Sequence, residues 1–327
     1  MPRISVLMPC YNGMPYIVEA VESVLKQDEQ DWELHISDNG SSDGTRDYLA
    51  GLSDQRITVY LQPENLGVYG NLNFLLTKPQ CDIAKILCAD DTLLPNSLDR
   101  AARLMEDKQE CAVARCLSIG SALPKRASPS SRFEAQLPVS LSPKAALLAF
   151  ACFGNLVGNL SRATCRPKRV IDAGGFNRSM TYAGDSEGWA RVARLYGIEL
   201  QNEELVFERT HPTQGRVLLT QSAYVNYSQT NDVVSLLASL VDPTDLPLLK
   251  EHWAIHFFAP RTSSTIRELL RGNITKAGSI WRDLPPGLSP VRCIAAYPAW
   301  RFDLAAAQKT ADRLLQRIIE LNRPVSG

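Results

Sequence analysis

The first hundred residues alternate short apolar, β-rich runs with stretches whose apolar positions recur at helical spacing. Strands are predicted over 4–8, 33–37, 56–62 and 83–88, and helices over 15–27, about 44–51 and 67–78. In the first helix, Ile17, Val21, Val24 and Leu25 fall on one face. Strands separated by helices predict an α/β fold built on a mostly parallel, doubly wound sheet.

Polar clusters follow three of these strands. They are "PCYN" after the first, Asp38 after the second, and Asp90-Asp91 after the fourth. Sheets of this kind bind ligands in the crevice beyond the carboxyl ends of their strands. Adjacent carboxylates repel one another and are costly to desolvate. A solvated turn that caps the next helix explains the pair, and so does a cation site.

The second half of the chain changes character. Residues 120–143 are rich in Ser and Pro and have no hydrophobic period, which predicts an extended or mobile loop. Helices are predicted over 144–155 and 184–197, the second closed by Gly197. From about residue 220 to the end the pattern is helical. The chain is therefore expected to hold an α/β domain followed by a helical region.

Composition narrows the classes of function. With 327 residues, 45% of them hydrophobic, the chain can bury a sizeable core. Lys+Arg and Asp+Glu both total 35, so the basic excess that favours nucleic acid is missing, and no nucleic-acid partner is expected. The eight cysteines are scattered and include no CxxC pair, which indicates reduced thiols and not a disulfide framework. Without a signal-peptide layout or an 18-residue apolar stretch, we expect a cytoplasmic protein.

Several phrases, taken together, resemble family-2 glycosyltransferases of the GT-A fold, of the inverting type that builds bacterial cell-surface polysaccharides. They are "SVLMPCYNG", "ISDNGSSDGT", "ENLGVYGNLN", "ILCADDTLLP" and "IDAGGFNRSMTYAGDSEGWARVARLYG". Their order and spacing match the family over residues 3–211. The resemblance implies a GT-A domain over 1–215, with a nucleotide-binding half (1–118) and an acceptor half (119–215). A helical C-terminal extension would follow over 216–327.

The resemblance implies a nucleotide-sugar site of eight residues: Pro9, Tyr11, Asn12, Asp38, Asn65, Gly67, Asn71 and Asp90. In the family Tyr11 would stack on the base, and Asp38 would accept hydrogen bonds from the base or ribose. Gly67 would permit close backbone approach to the ligand. An ordinary turn, an Asx turn and a loop-to-helix junction are the structural alternatives.

The acidic pair occupies the position of the family's metal motif. By resemblance Asp90 faces the ribose and Asp91 ligates a divalent cation, Mg²⁺ or Mn²⁺, with His211 as a distal ligand. The family often has a further acid two positions before Asp90, where this chain has Cys88. A lone histidine is more often structural, and Arg209 is an alternative contact for a phosphate.

Asp185, in "AGDSEGWARV", matches the family's Glu-Asp base motif, with Gly184 in place of the glutamate. Its implied role is to take the proton from the acceptor hydroxyl in an inverting displacement. An Asp at this position would also suit a helix N-cap. On the acceptor side, Gly175 belongs to a Gly-Gly-Phe turn. Trp189, one helical turn after Asp185, would contact the face of the acceptor sugar or pack in the core.

We therefore expect inverting transfer of a sugar from a UDP- or dTDP-sugar to a hydroxyl of a glycan or lipid-linked acceptor. The alternative is a catalytically degenerate nucleotide-sugar-binding partner in a polysaccharide assembly complex, which Cys88 and Gly184 keep open. Nucleotidyl transfer would need a Gly-rich, basic first loop, and "PCYNGMPY" is neither. A processive synthase would be expected to carry transmembrane helices.

The C-terminal helices are expected to form a lid, a homodimer surface or a peripheral contact at the inner face of the plasma membrane. Residues 265–282 mix Arg and Lys with Ile, Leu and Trp. That mixture suits an acidic membrane surface, and it also suits a solvated helix face.

Overall fold

The computed structural model describes residues 1–120, 135–211, 223–302 and 304–323. The strands are β1 (Ile4–Cys10), β2 (Trp32–Asp38), β3 (Ile57–Leu61), β4 (Ala84–Ile86), β5 (Thr92–Leu93), β6 (Val113–Gly120), β7 (Ser140–Leu141), β8 (Ala163–Cys165) and β9 (Ile198–Glu208). The four predicted strands correspond to β1–β4. Most of the loop predicted over 120–143 lies outside the described residues.

The strands form one sheet in the order β3-β2-β1-β4-β8-β6-β9-β5, with β7 paired to β9. The four strands from β3 to β4 run parallel, as predicted. Beyond them the sheet is mixed, because β8 runs antiparallel to both β4 and β6 while β6 and β9 are parallel. Strand direction depends on how the chain returns to the sheet, which the residue pattern inside a strand does not encode.

Helices cover both faces of the sheet, which confirms the doubly wound prediction. The helices of the α/β part are α1 (Tyr16–Leu25), α2 (Thr45–Ala50), α3 (Gly67–Leu76), α4 (Ser97–Asp107), α5 (Pro143–Phe153), α6 (Pro167–Asp172) and α7 (Gly184–Tyr196). Helices α1, α2 and α4 bury apolar side chains against one face. Helices α3, α5 and α7 do so against the other. The predicted amphipathic face of α1 supplies Ile17, Val21 and Val24 to the first of these cores.

The C-terminal region is helical, as predicted. Its helices are α8 (Ala223–Leu240), α9 (Leu246–Trp253), α10 (Arg261–Leu270), α11 (Ile274–Ser279), α12 (Pro290–Ala295), α13 (Tyr297–Phe302) and α14 (Leu304–Leu321). A π-helical turn, Ala254–Phe258, continues α9. Among the described residues, no helix is both long enough and apolar enough to cross a membrane. All eight cysteines are free.

The C-terminal helices share a core with the α/β part through α5. Trp253 is fully buried, and its Nε1 donates a hydrogen bond to the carbonyl of Ala151 at 2.7 Å. His252 Nε2 lies 2.8 Å from the carbonyl oxygen of Cys152. Burial lowers the pKa of His252 to about 3, so the ring is neutral. The extension is therefore packed onto the domain. The boundaries at residues 118 and 215 stay predictions.

Candidate active site

The three polar clusters meet at one edge of the sheet. Cys10, at the end of β1, is paired in register with Asp38 at the end of β2. On the other side of β1, Leu7 pairs with Ile86 of β4, and the acidic pair follows shortly after. Parallel strands end at a common edge, so the segments after β1, β2 and β4 lie side by side.

The turn after β1 leaves Tyr11 open to solvent, with 54% of its surface exposed. Asn12, at φ 51°, fixes the turn by accepting a hydrogen bond at Oδ1 from the backbone N–H of Ser42. Its own backbone N–H donates to Ser41 Oγ at 2.7 Å. Pro9 lies within β1 and is partly buried. The turn is thus held in place and leaves the Tyr11 ring accessible, as a stacking role for it requires.

Asp38 is fully buried, which differs from the expected direct contact with a base or ribose. Its carboxylate accepts hydrogen bonds from the backbone N–H groups of Gly40 and Ser41. It also pairs with Arg46, whose Nε lies 2.7 Å away. Because the carboxylate is covered, Asp38 organises the loop after β2 and holds Arg46. The Arg46 side chain, 40% exposed, is the group that this cluster presents to solvent.

The Asn71 side chain is buried inside the protein, which differs from the expected contact with the nucleotide sugar. Ser37 Oγ donates to Asn71 Oδ1 at 2.6 Å, and Asn71 Nδ2 donates to the Ser37 carbonyl at 2.9 Å. The residue therefore joins α3 to β2. Asn65 and Gly67, by contrast, are exposed. A Cβ on Gly67, at φ +73°, would meet nothing within 4 Å, so the backbone there is open to an approaching ligand.

The two adjacent aspartates have different surroundings. Asp91 is buried and accepts hydrogen bonds from Ser161 Oγ at 2.6 Å, Asn159 Nδ2 at 3.0 Å and the Arg209 backbone N–H at 3.0 Å. Burial, together with the charge of Asp90, raises the pKa of Asp91 to about 7. The Asp90 side chain keeps 23% of its surface exposed, and its Oδ2 lies 3.2 Å from His211 Nε2. His211 therefore joins the acidic pair, through Asp90.

Ligand atoms of Cys88, Asp90 and Asp91 lie within 4.8 Å of one another. Burial raises the pKa of the Cys88 thiol well above its ordinary value, with the charges of both aspartates adding to the effect. A protonated thiol does not suit a hard cation, whereas carboxylates do. Of these three groups, the two carboxylates fit a divalent cation and the thiol does not. The more accessible carboxylate belongs to Asp90, which makes it a candidate ligand beside Asp91, the ligand expected from the resemblance.

Asp185 lies in the first turn of α7 and is held on both carboxylate oxygens. Asn155 Nδ2 donates to Oδ2 at 2.9 Å. The Ser186 backbone N–H donates to Oδ1 at 2.8 Å, and the Tyr69 hydroxyl lies 3.4 Å from the same oxygen. Burial raises the pKa of Asp185 to about 6, against the lowering effect of these hydrogen bonds. At neutral pH it is an ionised carboxylate more basic than usual, which suits a general base.

On the acceptor side, Trp189 is fully buried, which agrees with the second of its two expected roles, packing in the core. Its ring meets that of Phe176 edge-on, with centroids 4.9 Å apart, so it is a core residue. Gly175, at φ +63°, is needed for its turn, since a Cβ there would lie 2.8 Å from Asn73 Oδ1. Asn73 holds the turn by bonding both the N–H and the carbonyl of Phe176.

A turn that the sequence interpretation missed connects the two halves of the site. Asn155 contacts Asp185, and Asn159 contacts Asp91, four residues along the same turn. Asn155 Nδ2 also donates to the Gly158 carbonyl at 3.0 Å, which closes the turn on itself. The signal available was "GNLVGN" directly after the apolar run of α5, a polar cluster of the same type as the other three.

Comparison with known proteins gives a consistent picture. The family model described as Glycosyl transferase family 2 matches residues 5–160. TuaG of Bacillus subtilis, whose name assigns it to teichuronic acid biosynthesis, is 36% identical over 113 residues, 34% of this chain and 44% of TuaG. The Escherichia coli UDP-Glc:alpha-D-GlcNAc-diphosphoundecaprenol beta-1,3-glucosyltransferase WfgD is 33% identical over 102 residues, 31% of this chain and 40% of WfgD. The chain thus spans less than half the length of these two relatives.

Solved structures establish the fold over nearly the whole chain. A Staphylococcus aureus TarS fragment in complex with UDP-GlcNAc superimposes with a TM-score of 0.63 at 17% identity, covering 98% of this chain and 92% of the fragment. The mannosyltransferase PcManGT from Pyrobaculum calidifontis, in complex with GDP-Man and Mn²⁺, gives a TM-score of 0.54 at 17% identity, covering 98% and 87%. The fold is GT-A, with C-terminal helices.

Proposed function

We propose that this chain, which matches the model of Glycosyl transferase family 2 over residues 5–160, is an inverting transferase of that family. It moves a sugar from a nucleotide diphosphate sugar to a hydroxyl of a glycan or lipid-linked acceptor. The observation that carries the proposal is the turn 155–159. Asn155 of this turn donates a hydrogen bond to Asp185 and Asn159 donates one to Asp91, so a single turn connects the proposed base to the acidic pair.

In this proposal Asp185 accepts the proton of the acceptor hydroxyl. The acceptor oxygen forms a bond to the anomeric carbon as the bond from that carbon to the diphosphate oxygen breaks. The electron pair of the broken bond leaves with the diphosphate, and attack from the opposite face inverts the centre. Asn155 holds one carboxylate oxygen, so the carboxylate is oriented before the acceptor arrives. A pKa of about 6 leaves Asp185 mostly ionised at neutral pH.

Donor binding is assigned to the open groups at the sheet edge. Tyr11 offers a face for the base, and the backbone at Gly67 permits close approach. Asp90 and His211 would hold a divalent cation, Mg²⁺ or Mn²⁺. When bound, the cation would offset the negative charge of the departing diphosphate. TarS and WfgD are named with UDP-sugars, which supports uridine over thymidine in the donor.

The acceptor class follows from the relatives. WfgD is named for a diphosphoundecaprenol-linked sugar, as is a glucosyltransferase of Campylobacter jejuni. These names support a lipid-linked acceptor. The alternative of a degenerate binding partner is not favoured, because Asp185 keeps a raised pKa and hydrogen bonds to both carboxylate oxygens.

The test is donor turnover with and without acceptor. The full chain is incubated with a panel of UDP-, dTDP- and GDP-sugars, Mn²⁺, and undecaprenyl-diphosphate sugars, and acceptor-dependent release of nucleoside diphosphate is measured. Asp185→Asn should lower kcat by about 10²–10⁴-fold. Asp172→Asn removes an exposed carboxylate elsewhere and should leave kcat unchanged. Equal acceptor-dependent release by wild type and Asp185→Asn would refute the assignment of the base.

A further inference from the structure

The hairpin formed by α10 and α11 exposes an unusual number of large apolar side chains. Leu270 is 84% exposed and Ile274 is 74% exposed, on either side of the connecting turn. We call the set the apolar ridge, and its members are Ile266, Leu269, Leu270 and Ile274. Gly272, at φ +78°, makes the turn tight, and its N–H donates to the Leu269 carbonyl at 2.9 Å.

The opposite side of α10 is fully engaged with the protein. Arg261 and Glu268 are buried, and Trp281 Nε1 donates to Thr265 Oγ1 at 2.8 Å. Arg261 lies over the ring of Phe258, 4.4 Å from its centroid. The ridge is therefore an outward-facing surface of a well-packed hairpin. Contiguous exposed apolar surface of this kind marks an interaction site.

Basic side chains surround the ridge. Arg267, Arg271 and Lys276 are exposed on the same hairpin. Residues 261–296 contain four more basic than acidic residues, although the whole chain has no net charge. One of the two acids in this segment, Glu268, pairs with Arg271 at 3.3 Å and with Lys276 at 3.9 Å, so it offsets part of this charge, while Arg267 has no ion pair of this kind among the described residues.

We propose that the α10–α11 hairpin docks on the surface of a bilayer that contains anionic lipids. The ridge enters the boundary between headgroups and acyl chains, while Arg267, Arg271 and Lys276 contact lipid phosphates. The charge selects this occupant over a second copy of the chain, because a symmetric contact would bring one basic face against another. Docking of this surface does not depend on the proposed transferase activity.

The experiment is co-sedimentation of the full chain with vesicles. Wild type should bind vesicles of equimolar phosphatidylglycerol and phosphatidylcholine at least about tenfold more tightly than vesicles of phosphatidylcholine alone, and salt should weaken this binding. Leu270→Ser combined with Ile274→Ser should weaken it by more than about tenfold. Arg267→Gln combined with Lys276→Gln should weaken it by about twenty-five-fold, about fivefold for each charge.

Matched controls remove the same side-chain types elsewhere. Leu195→Ser changes a leucine that is 51% exposed, and Arg103→Gln changes an arginine whose side chain is 71% exposed. Both should bind vesicles as wild type does. Thermal unfolding of each variant, and its size by light scattering, are measured in parallel.

Three results would overturn the proposal. They are equal binding to both kinds of vesicle, wild-type binding by the Leu270→Ser/Ile274→Ser variant, and a wild-type dimer that this variant converts to monomer. Because the readout is lipid binding, an inactive enzyme would leave the result interpretable.

Discussion

The ring of Tyr69 occupies the space into which a side chain at position 184 would project. A Cβ on Gly184 would lie 2.5 Å from Cε2 of Tyr69 and 2.9 Å from Cδ2 and Cζ. The hydroxyl of the same ring lies 3.4 Å from Asp185 Oδ1. The glycine that replaces the glutamate of the family motif is thus matched by an aromatic ring, which packs beside the proposed base.

This match predicts coupled effects on stability. Gly184→Ala should destabilise the protein by about 1–3 kcal/mol, because the added methyl group overlaps the ring. Tyr69→Ala with Gly184→Ala should cost less than the sum of the single changes, by about 0.5–3 kcal/mol. Urea unfolding of the four proteins gives these values. Gly278→Ala, where a Cβ meets nothing within 4 Å, should leave stability unchanged or raise it. Strict additivity of the two changes would contradict the match.

Ionisation of Asp185 should lower the stability of the folded protein as the pH rises. Its pKa of about 6 in the folded protein exceeds the value of about 3.9 expected when unfolded, so the folded state binds the proton more tightly. Stability is therefore lost as pH rises from about 4 to about 6, by about 3 kcal/mol in total. Asp185→Asn removes this loss. Relative to wild type, it should gain about 3 kcal/mol between about pH 4 and about pH 7.5 in urea unfolding. A pH-independent difference would contradict the prediction.

The hydrogen bonds to Asp185 should determine the pH at which kcat/KM falls on the acid side. Asn155 and Tyr69 both favour the ionised form, so their removal should raise the pKa of the base. The acid limb of kcat/KM should move up by about one pH unit in Asn155→Ala, and by less in Tyr69→Phe because of the longer contact. Tyr182→Phe changes a neighbouring tyrosine and should leave the limb in place. A lowered kcat with an unmoved limb would show that Asn155 acts otherwise.

Metal binding should depend on Asp90, whose carboxylate is more accessible than that of Asp91. Mn²⁺ at about a hundredfold excess over its Kd should stabilise wild type by about 2.7 kcal/mol, measured as a rise in the unfolding temperature. Asp90→Asn should abolish the rise and His211→Ala should reduce it. Asp28→Asn, an exposed carboxylate elsewhere, should not change it. A full rise in Asp90→Asn would return the ligand role to Asp91.

Substitution of Tyr11 should weaken nucleotide binding with little effect on stability, and substitution of Asn71 should do the reverse. Tyr11→Ala removes an exposed ring, so stability should change by less than about 0.5 kcal/mol. Loss of stacking should weaken UDP binding by about 1–3 kcal/mol in calorimetry. Asn71→Ala removes two buried hydrogen bonds to Ser37 and should destabilise the protein by about 1–3 kcal/mol, with UDP affinity unchanged. The opposite pattern would make Asn71 the ligand and Tyr11 structural.

The sequence by itself determined the alternation of β1–β4 with α1–α3, the place of the polar clusters after β1, β2 and β4, and the start of α7 at Gly184. These features depend on periodicity and on residues a few positions apart, which an amino-acid sequence displays directly. Parallel strands end at a shared edge, so the gathering of Tyr11, Asp38 and Asp90 also followed.

Only the tertiary structure decided which side chains stay accessible. Asp91 is buried because Ser161, Asn159 and Arg209 reach it from distant parts of the chain. Trp189 sits one helical turn from Asp185, yet the packing of α7 on the sheet turns it into the core. Tyr69 and Asp185 are 116 residues apart in sequence. Burial and long-range partners distinguish a ligand from a structural residue, and neither is encoded in the neighbours of a residue along the chain.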